Sequence, residues 1–146
     1  MEWSIPEITD TARVAKELLN SRTSQSTATV FALHGDLGAG KTTFVQQLAA
    51  ALGVVETVTS PTFVIMKGYE TTAPWEQLVH IDAYRLESAD ELTRLGFNEI
   101  VRQPNTVICI EWAERVADSL PADTTHLHFF VTENGRTITD TYGQKN

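Results

Sequence analysis

The stretch GDLGAGKTT, Gly35–Thr43, satisfies the spacing G-x-x-x-x-G-K-S/T in full. Each position has a chemical reason. The glycines let backbone N–H groups turn inward around phosphate oxygens, where a Cβ would collide. Lys41 adds a point charge at the β- and γ-phosphates of a nucleotide, and the Thr42 hydroxyl is suited to ligating magnesium. A helix starting at Thr42 aims its positive N-terminus at the same phosphates. A glycine-rich turn with a chance lysine would match the same pattern. What separates the two is context, and here an apolar run of strand length, ATVFALH (Ala28–His34), precedes the glycines and a helical TTFVQQLAAALG (Thr42–Gly53) follows them. Guanine-specific folds of this class carry N-K-x-D; its absence favours adenine.

A phosphate loop of this kind needs a second carboxylate at the end of a neighbouring strand, facing the metal. Two acids qualify. Glu111 follows the unbroken apolar run Val107–Ile110, and Asp82 follows Leu78–Ile81, a run interrupted by His80 and continued by Tyr84 and Arg85. On pattern alone Glu111 takes the metal and Asp82 stands behind it or positions the water, with the reverse assignment still open. His80 reads as a satisfied strand histidine rather than a catalytic base. Arg85 is a charge-stabilising candidate on weak grounds, because Tyr84 and Arg85 also suit pairing with the helix that follows. Cys109 reads as a small core residue. Trp112 is either core or beside the nucleotide, and its neighbour Glu111 tips the reading towards the nucleotide.

These side chains need elements to hold them. Thr9 or Asp10 can cap a helix to about Asn20, with Val14, Ala15, Leu18 and Leu19 on its apolar face. SPTFVIMKGYE (Ser60–Glu70) reads as a turn and then a strand, and LVHIDAYR as another strand. SADE (Ser88–Glu91) fits a capping box on a helix ending at Gly96. TVICIE has the continuous apolarity of a strand buried on both faces of a parallel sheet. THLHFFVT and RTITDTYG flank Asn134–Gly135, a hairpin signal. The expected fold is α/β, a layered domain of the phosphate-loop NTPase type, with a mainly parallel central sheet and antiparallel edge strands, all in one domain over residues 1–146.

The whole chain narrows the function classes. It has 146 residues, 42% of them hydrophobic, and a net charge of −8 with no basic run, which disfavours direct grip on nucleic-acid phosphates. Any service to RNA would therefore run through a partner. No apolar run approaches the roughly 20 residues that cross a bilayer. The start lacks the blocks of a signal peptide, and one cysteine cannot form an internal disulfide, so the expected location is cytoplasmic.

GDLGAGKTTF, VTSPTF, HIDAYRL…ELTRLGFNEI and ICIEWAERV, in that order, resemble the bacterial TsaE (YjeE) family from about Thr11 to the NGR near the end. The resemblance implies an ATPase needed for forming threonylcarbamoyl-adenosine at position 37 of certain tRNAs. Its partners would be TsaD and TsaB, with TsaD performing the transfer and tRNA met only indirectly. Carried over by position, Gly38, Ala39, Gly40, Lys41, Thr42 and Thr43 would hold ATP or ADP, and Thr42 and Glu111 would bind Mg2+. Ser60, Pro61 and Thr62 would form a switch-like loop near the γ-phosphate, with Asp82 assisting catalysis and Trp112 near the nucleotide. Thr11 fits the family's threonine on the adenosine side, and Gly135 and Arg136 fit a glycine–arginine pair whose role stays open. The loop Tyr69–Gln77 and the tail beyond Gly143 follow no family pattern.

Two other readings compete. A compact small-molecule kinase also uses a phosphate loop, but needs an arginine-bearing lid and an acceptor pocket, and no arginine-rich segment is present. A binding module switched by ATP without hydrolysis would not need two strand-end acids.

Overall fold

The computed structural model describes residues 1–23, 26–36, 38–61, 64–133 and 135–142. Seven strands form one sheet in the order β1-β7-β6-β2-β5-β4-β3. The strands are β1 (Glu2–Ile5), β2 (Thr29–His34), β3 (Met66–Glu70), β4 (Gln77–Asp82), β5 (Thr106–Glu111), β6 (Thr125–Thr132) and β7 (Gly135–Tyr142). The four central strands β6, β2, β5 and β4 pair in parallel, while β1–β7, β7–β6 and β4–β3 pair antiparallel. The expectation of a parallel centre with antiparallel edges is met. The sheet is therefore of the doubly covered kind, whose strand ends collect at one edge.

Why β2 and β5 sit in the middle is written in their composition. Every residue of β5 is buried, and alternate side chains serve two different cores. Phe31, Leu33, Val107 and Cys109 pack under α1 (Ile8–Ser21) and α2 (Lys41–Ala51) with Val14, Leu18, Phe44 and Leu48. Val30, Ala32, Ile108 and Ile110 face the opposite side, against Leu92 of α3 (Ala89–Arg94), Phe97 of α4 (Phe97–Val101) and Val116 of a 3-10 helix (Ala113–Ser119). Burial pushes the Cys109 thiol far up, so it stays neutral and acts as a core residue.

Several boundaries differ from the sequence expectations. α1 starts at Ile8 with Glu7 as N-cap; Asp10 reaches back to accept the Glu7 N–H at 3.0 Å instead of acting as the cap itself. α2 runs from Lys41, one residue early, and stops at Ala51. Only Met66–Glu70 of the Ser60–Glu70 segment is strand, because Pro61 accepts N–H bonds from Val64 and Ile65 and folds the chain into a turn. Ser88 does cap α3, but Glu91 reaches the N–H of Glu87, at 3.4 Å, and Ser88 makes no side-chain cap bond. α3 ends before Gly96, whose positive φ of 91° turns the chain into α4. The hairpin is present as β6–β7, with Asn134 outside the described residues. β1, a four-residue strand alternating exposed and buried, had gone unrecognised. Among the described residues, no helix is long and apolar enough to cross a membrane.

Candidate functional site

The C-terminal ends of β2, β5 and β4 lie side by side, so the loop after β2 and the last residues of the other two strands meet at one edge. At the first step of that loop, Gly35 has a φ of 150°, and a Cβ there would lie 2.7 Å from the Phe129 carbonyl oxygen, so no other residue fits. Gly40, at φ 109°, is the N-cap of α2. That geometry leaves the first N–H groups of the helix without intrahelical partners and open to an anion.

Lys41 is 5% exposed. Its Nζ donates to the Gly35 carbonyl at 2.7 Å and lies 4.4 Å from the centre of the Trp112 ring. Trp112 stands at a positive φ of 58° and is flanked by Tyr84 with ring centroids 5.1 Å apart, and Arg115 lies over Tyr84. Tyr84 is thus tied to Trp112 as well as following Asp82.

The two acids come together as neighbours. β4 and β5 are parallel and in register, pairing Asp82 with Glu111. Thr42 Oγ1 donates to Glu111 Oε1 at 3.4 Å, which brings the hydroxyl and the carboxylate to the mouth of the loop. Asp82 accepts from Ser60 Oγ at 3.3 Å and from the Tyr84 N–H at 3.0 Å, and its own N–H donates to the Ile65 carbonyl at 2.7 Å. Ser60 and the buried Pro61 thus lie on a loop fastened to the end of β4. Thr62, the third residue expected there, is outside the described residues.

Two adjoining cavities open onto the loop. One, of about 220 Å³, is lined by Gly38, Gly40, Lys41, Thr42, Thr43, Glu111 and Arg136. The other, of about 160 Å³, reaches from Ala39, Gly40 and Thr43 to Thr11 on α1 and to Ile5, Phe129 and Ile138. Thr11 is therefore brought to the loop, far from it in sequence. Arg136 lines both cavities and donates from Nη2 to the Gly38 carbonyl at 3.2 Å. The chain places this guanidinium beside the loop across 98 positions, which no local pattern could announce.

Behind the loop, His34 is stacked between His126 and His128 at centroid separations of 5.1 and 4.8 Å, with its Nε2 2.9 Å from His126 Nδ1. Burial, then repulsion from His128 and His126, holds the His34 ring down to about 4, and the other two rings are lowered chiefly by burial. The triad is neutral at pH 7 and adds no fixed positive charge behind the phosphate cradle.

The family model for Threonylcarbamoyl adenosine biosynthesis protein TsaE matches residues 5–138. The chain belongs to the TsaE family. The tRNA threonylcarbamoyladenosine biosynthesis protein TsaE of Treponema pallidum is 42% identical over 107 residues, covering 73% of this chain and 76% of that one. Its namesakes from Streptomyces coelicolor and Bacillus subtilis are 44% and 43% identical, over 62% and 64% of this chain. Those two matches span 61% and 56% of the relatives' own lengths. The crystal structure of Bacillus subtilis YdiB superposes with a TM-score of 0.76 at 29% identity, covering 99% of this chain and 86% of that one. The fold is thus that of a phosphate-loop NTPase of the TsaE family, placed in threonylcarbamoyl-adenosine biosynthesis.

One consequence is optical. In this TsaE-family chain Trp112 lies against Lys41, while Trp3 bonds Glu17 through its indole N–H and Trp75 lines a cleft with Lys16, Leu19 and Ala51. Tryptophan emission is expected to change when ATP or ADP is added, and Trp112→Phe is expected to remove most of that change. A nucleotide response that survives the substitution intact would place Trp112 in the core alone.

Proposed function

We propose that this chain is a magnesium-dependent ATPase that supports threonylcarbamoyl-adenosine formation on tRNA together with TsaD and TsaB, without being the transferase. The observation that carries the reading is the convergence of Thr42 Oγ1 and Glu111 Oε1, 3.4 Å apart, at the mouth of a complete phosphate loop.

A magnesium ion suits this donor set. Hydroxyl and carboxylate oxygens are hard ligands, and Mg2+ characteristically takes one or two protein oxygens, with waters and substrate phosphates completing its shell. When bound, the ion would neutralise charge on the β- and γ-phosphates.

The remaining work falls to side chains. The α2 N-terminus and loop N–H groups cradle the phosphates, and Lys41 leaves the Gly35 carbonyl to meet the β- and γ-oxygens. Arg136, at the rim of both cavities, supplies a second positive charge on the nucleotide's flank. The smaller cavity, reached by Thr11, takes the adenosine end. Asp82, beside Glu111 but directed to Ser60 and Tyr84, orients the attacking water and carries the Ser60–Thr62 loop.

The test is phosphate release from ATP with Mg2+, alone and with metabolite acceptors, for wild type and Glu111→Gln. Turnover to ADP and phosphate without an acceptor is expected, with metal binding weakened at least 10–100-fold in the variant. Phosphorylation of an acceptor would make this a kinase. An unchanged metal dependence in Glu111→Gln would move the metal to Asp82.

A further inference from the structure

His80 has no part in the chemistry so far, yet it is the most unusual residue of β4. It is 0% exposed and its inward neighbours on that face of the sheet, Leu78 and Cys109, are apolar. Its Nε2 lies 2.6 Å from Glu111 Oε2. Its Nδ1 is buried and has no hydrogen-bond partner among the described residues. An aliphatic side chain would fill this position without burying an unpaired nitrogen, and an unsatisfied buried polar atom is costly. The bond to Glu111 is what offsets that cost.

The pairing follows from register. His80 and Asp82 are two residues apart on β4 and so share a face, while Glu111 ends β5 with Asp82 as its direct partner. His80 therefore lies diagonally behind Glu111, towards the core, and Thr42 lies in front of it. The carboxylate is held from both sides: Oε2 by the imidazole and Oε1 by the Thr42 hydroxyl. Nε2 is the ring nitrogen that faces the carboxylate and is placed to donate to it.

We propose that His80 is the positioning residue of the metal-binding carboxylate: by donating from Nε2 to Glu111 Oε2 it fixes the side chain so that Oε1 is presented beside Thr42. A glutamate with three rotatable bonds would otherwise have to be ordered each time an ion binds, and partners behind a ligating carboxylate characteristically contribute to metal affinity. This inference rests on the proposed role of Glu111 as a magnesium ligand.

The experiment measures metal binding directly. Protein saturated with a non-hydrolysable ATP analogue is titrated with Mn2+, a paramagnetic substitute for Mg2+, and free Mn2+ is followed by electron paramagnetic resonance. Nucleotide affinity in EDTA is measured in parallel as a control for folding. His80→Gln keeps an amide N–H near the height of the imidazole Nε2, whereas His80→Asn ends short of Glu111. His80→Asn is expected to bind Mn2+ about 10–100-fold more weakly than wild type, with EDTA affinity unchanged. His80→Gln is expected to recover to within a few-fold of wild type. If His80→Asn does not fold, His80→Phe, which fills the slot but donates nothing, is expected to show the same loss. Wild-type metal affinity in the Asn or Phe variant would overturn the proposal, and so would a Gln variant as weak as the Asn one, which would mean that the ring only packs. Glu111→Gln distinguishes the two levels: Mn2+ binding that ignores Glu111 would sink the metal-ligand reading and this inference with it, whereas dependence on Glu111 but not on His80 would sink this inference alone.

Discussion

Lys41→Ala is expected to abolish productive ATP turnover. Lys41 is 5% exposed and its ammonium is held between the Gly35 carbonyl and the Trp112 face, so it is placed before a nucleotide arrives. A charge positioned in advance avoids reorganisation when the phosphate charge develops, and removal of one such donor costs on the order of 10²–10³ in rate. A drop of at least that size is expected here, because Lys41 carries a full charge. Arg136 cannot substitute for it: its guanidinium approaches from the Gly38 side of the loop. Lys41→Met, which keeps the aliphatic stem against Trp112 without the charge, should lose turnover equally while keeping the fold, as judged by thermal melting. Phosphate release at the wild-type rate in either variant would refute the phosphate-loop assignment.

The second large effect is expected from the partners. Among the described residues, Arg136 is the single arginine lining the cavity beside Lys41 and Thr42, and slow turnover of the isolated chain is expected. A group that adds transition-state charge contributes roughly 10³–10⁵ in rate in related phosphate-loop enzymes. Adding the TsaD–TsaB pair is therefore expected to raise ATP turnover by on the order of 10²-fold or more. Binding of the pair should also depend on nucleotide state. The loop proposed to sense it is the one fastened to Asp82 by Ser60 and by the Ile65 carbonyl, with Val64 exposed beside it, as switch loops are ordered by a γ-phosphate. Thr62→Ala is expected to weaken this coupling more than it weakens nucleotide affinity. Pull-down and turnover with ATP, ADP and no nucleotide decide it. Equal partner binding in all three states together with unstimulated hydrolysis would leave a nucleotide-binding scaffold.

The phosphate loop was legible because its function is local. Nine contiguous residues make up the motif, and the apolar run before and the helix after are themselves contiguous, so spacing alone announces the chemistry. The parallel centre was legible for a similar reason: TVICIE has no polar side to turn to water, and β5 is buried throughout. Short elements were not. β1 has only four residues of alternation and is stable because it pairs with β7 from the far end of the chain. The segment after Ser60 has strand-forming composition, but the bonds to the Pro61 carbonyl fold it into a turn first.

The sequence pattern already favours Glu111 over Asp82; what only the tertiary structure decided is the geometry that brings it, and not its neighbour, to Thr42. Glu111 and Asp82 each close a six-residue strand, point to the same face and pair with one another, so the apolar pattern that favours Glu111 carries no distance to Thr42 with it. Strand order makes the difference. β5 lies next to β2, which feeds the loop, and β4 lies one strand further out, about 4.8 Å away. That single spacing leaves Glu111 within reach of the Thr42 hydroxyl and hands Asp82 to Ser60 and Tyr84. The same strand order sets His80 of β4 behind Glu111, and on the other side of β2 it brings Arg136 of β7 to Gly38, contacts spanning 31 and 98 residues. Pairings at such separations depend on how the sheet is ordered, and strand order is a property of the whole packed chain, not of any window within it.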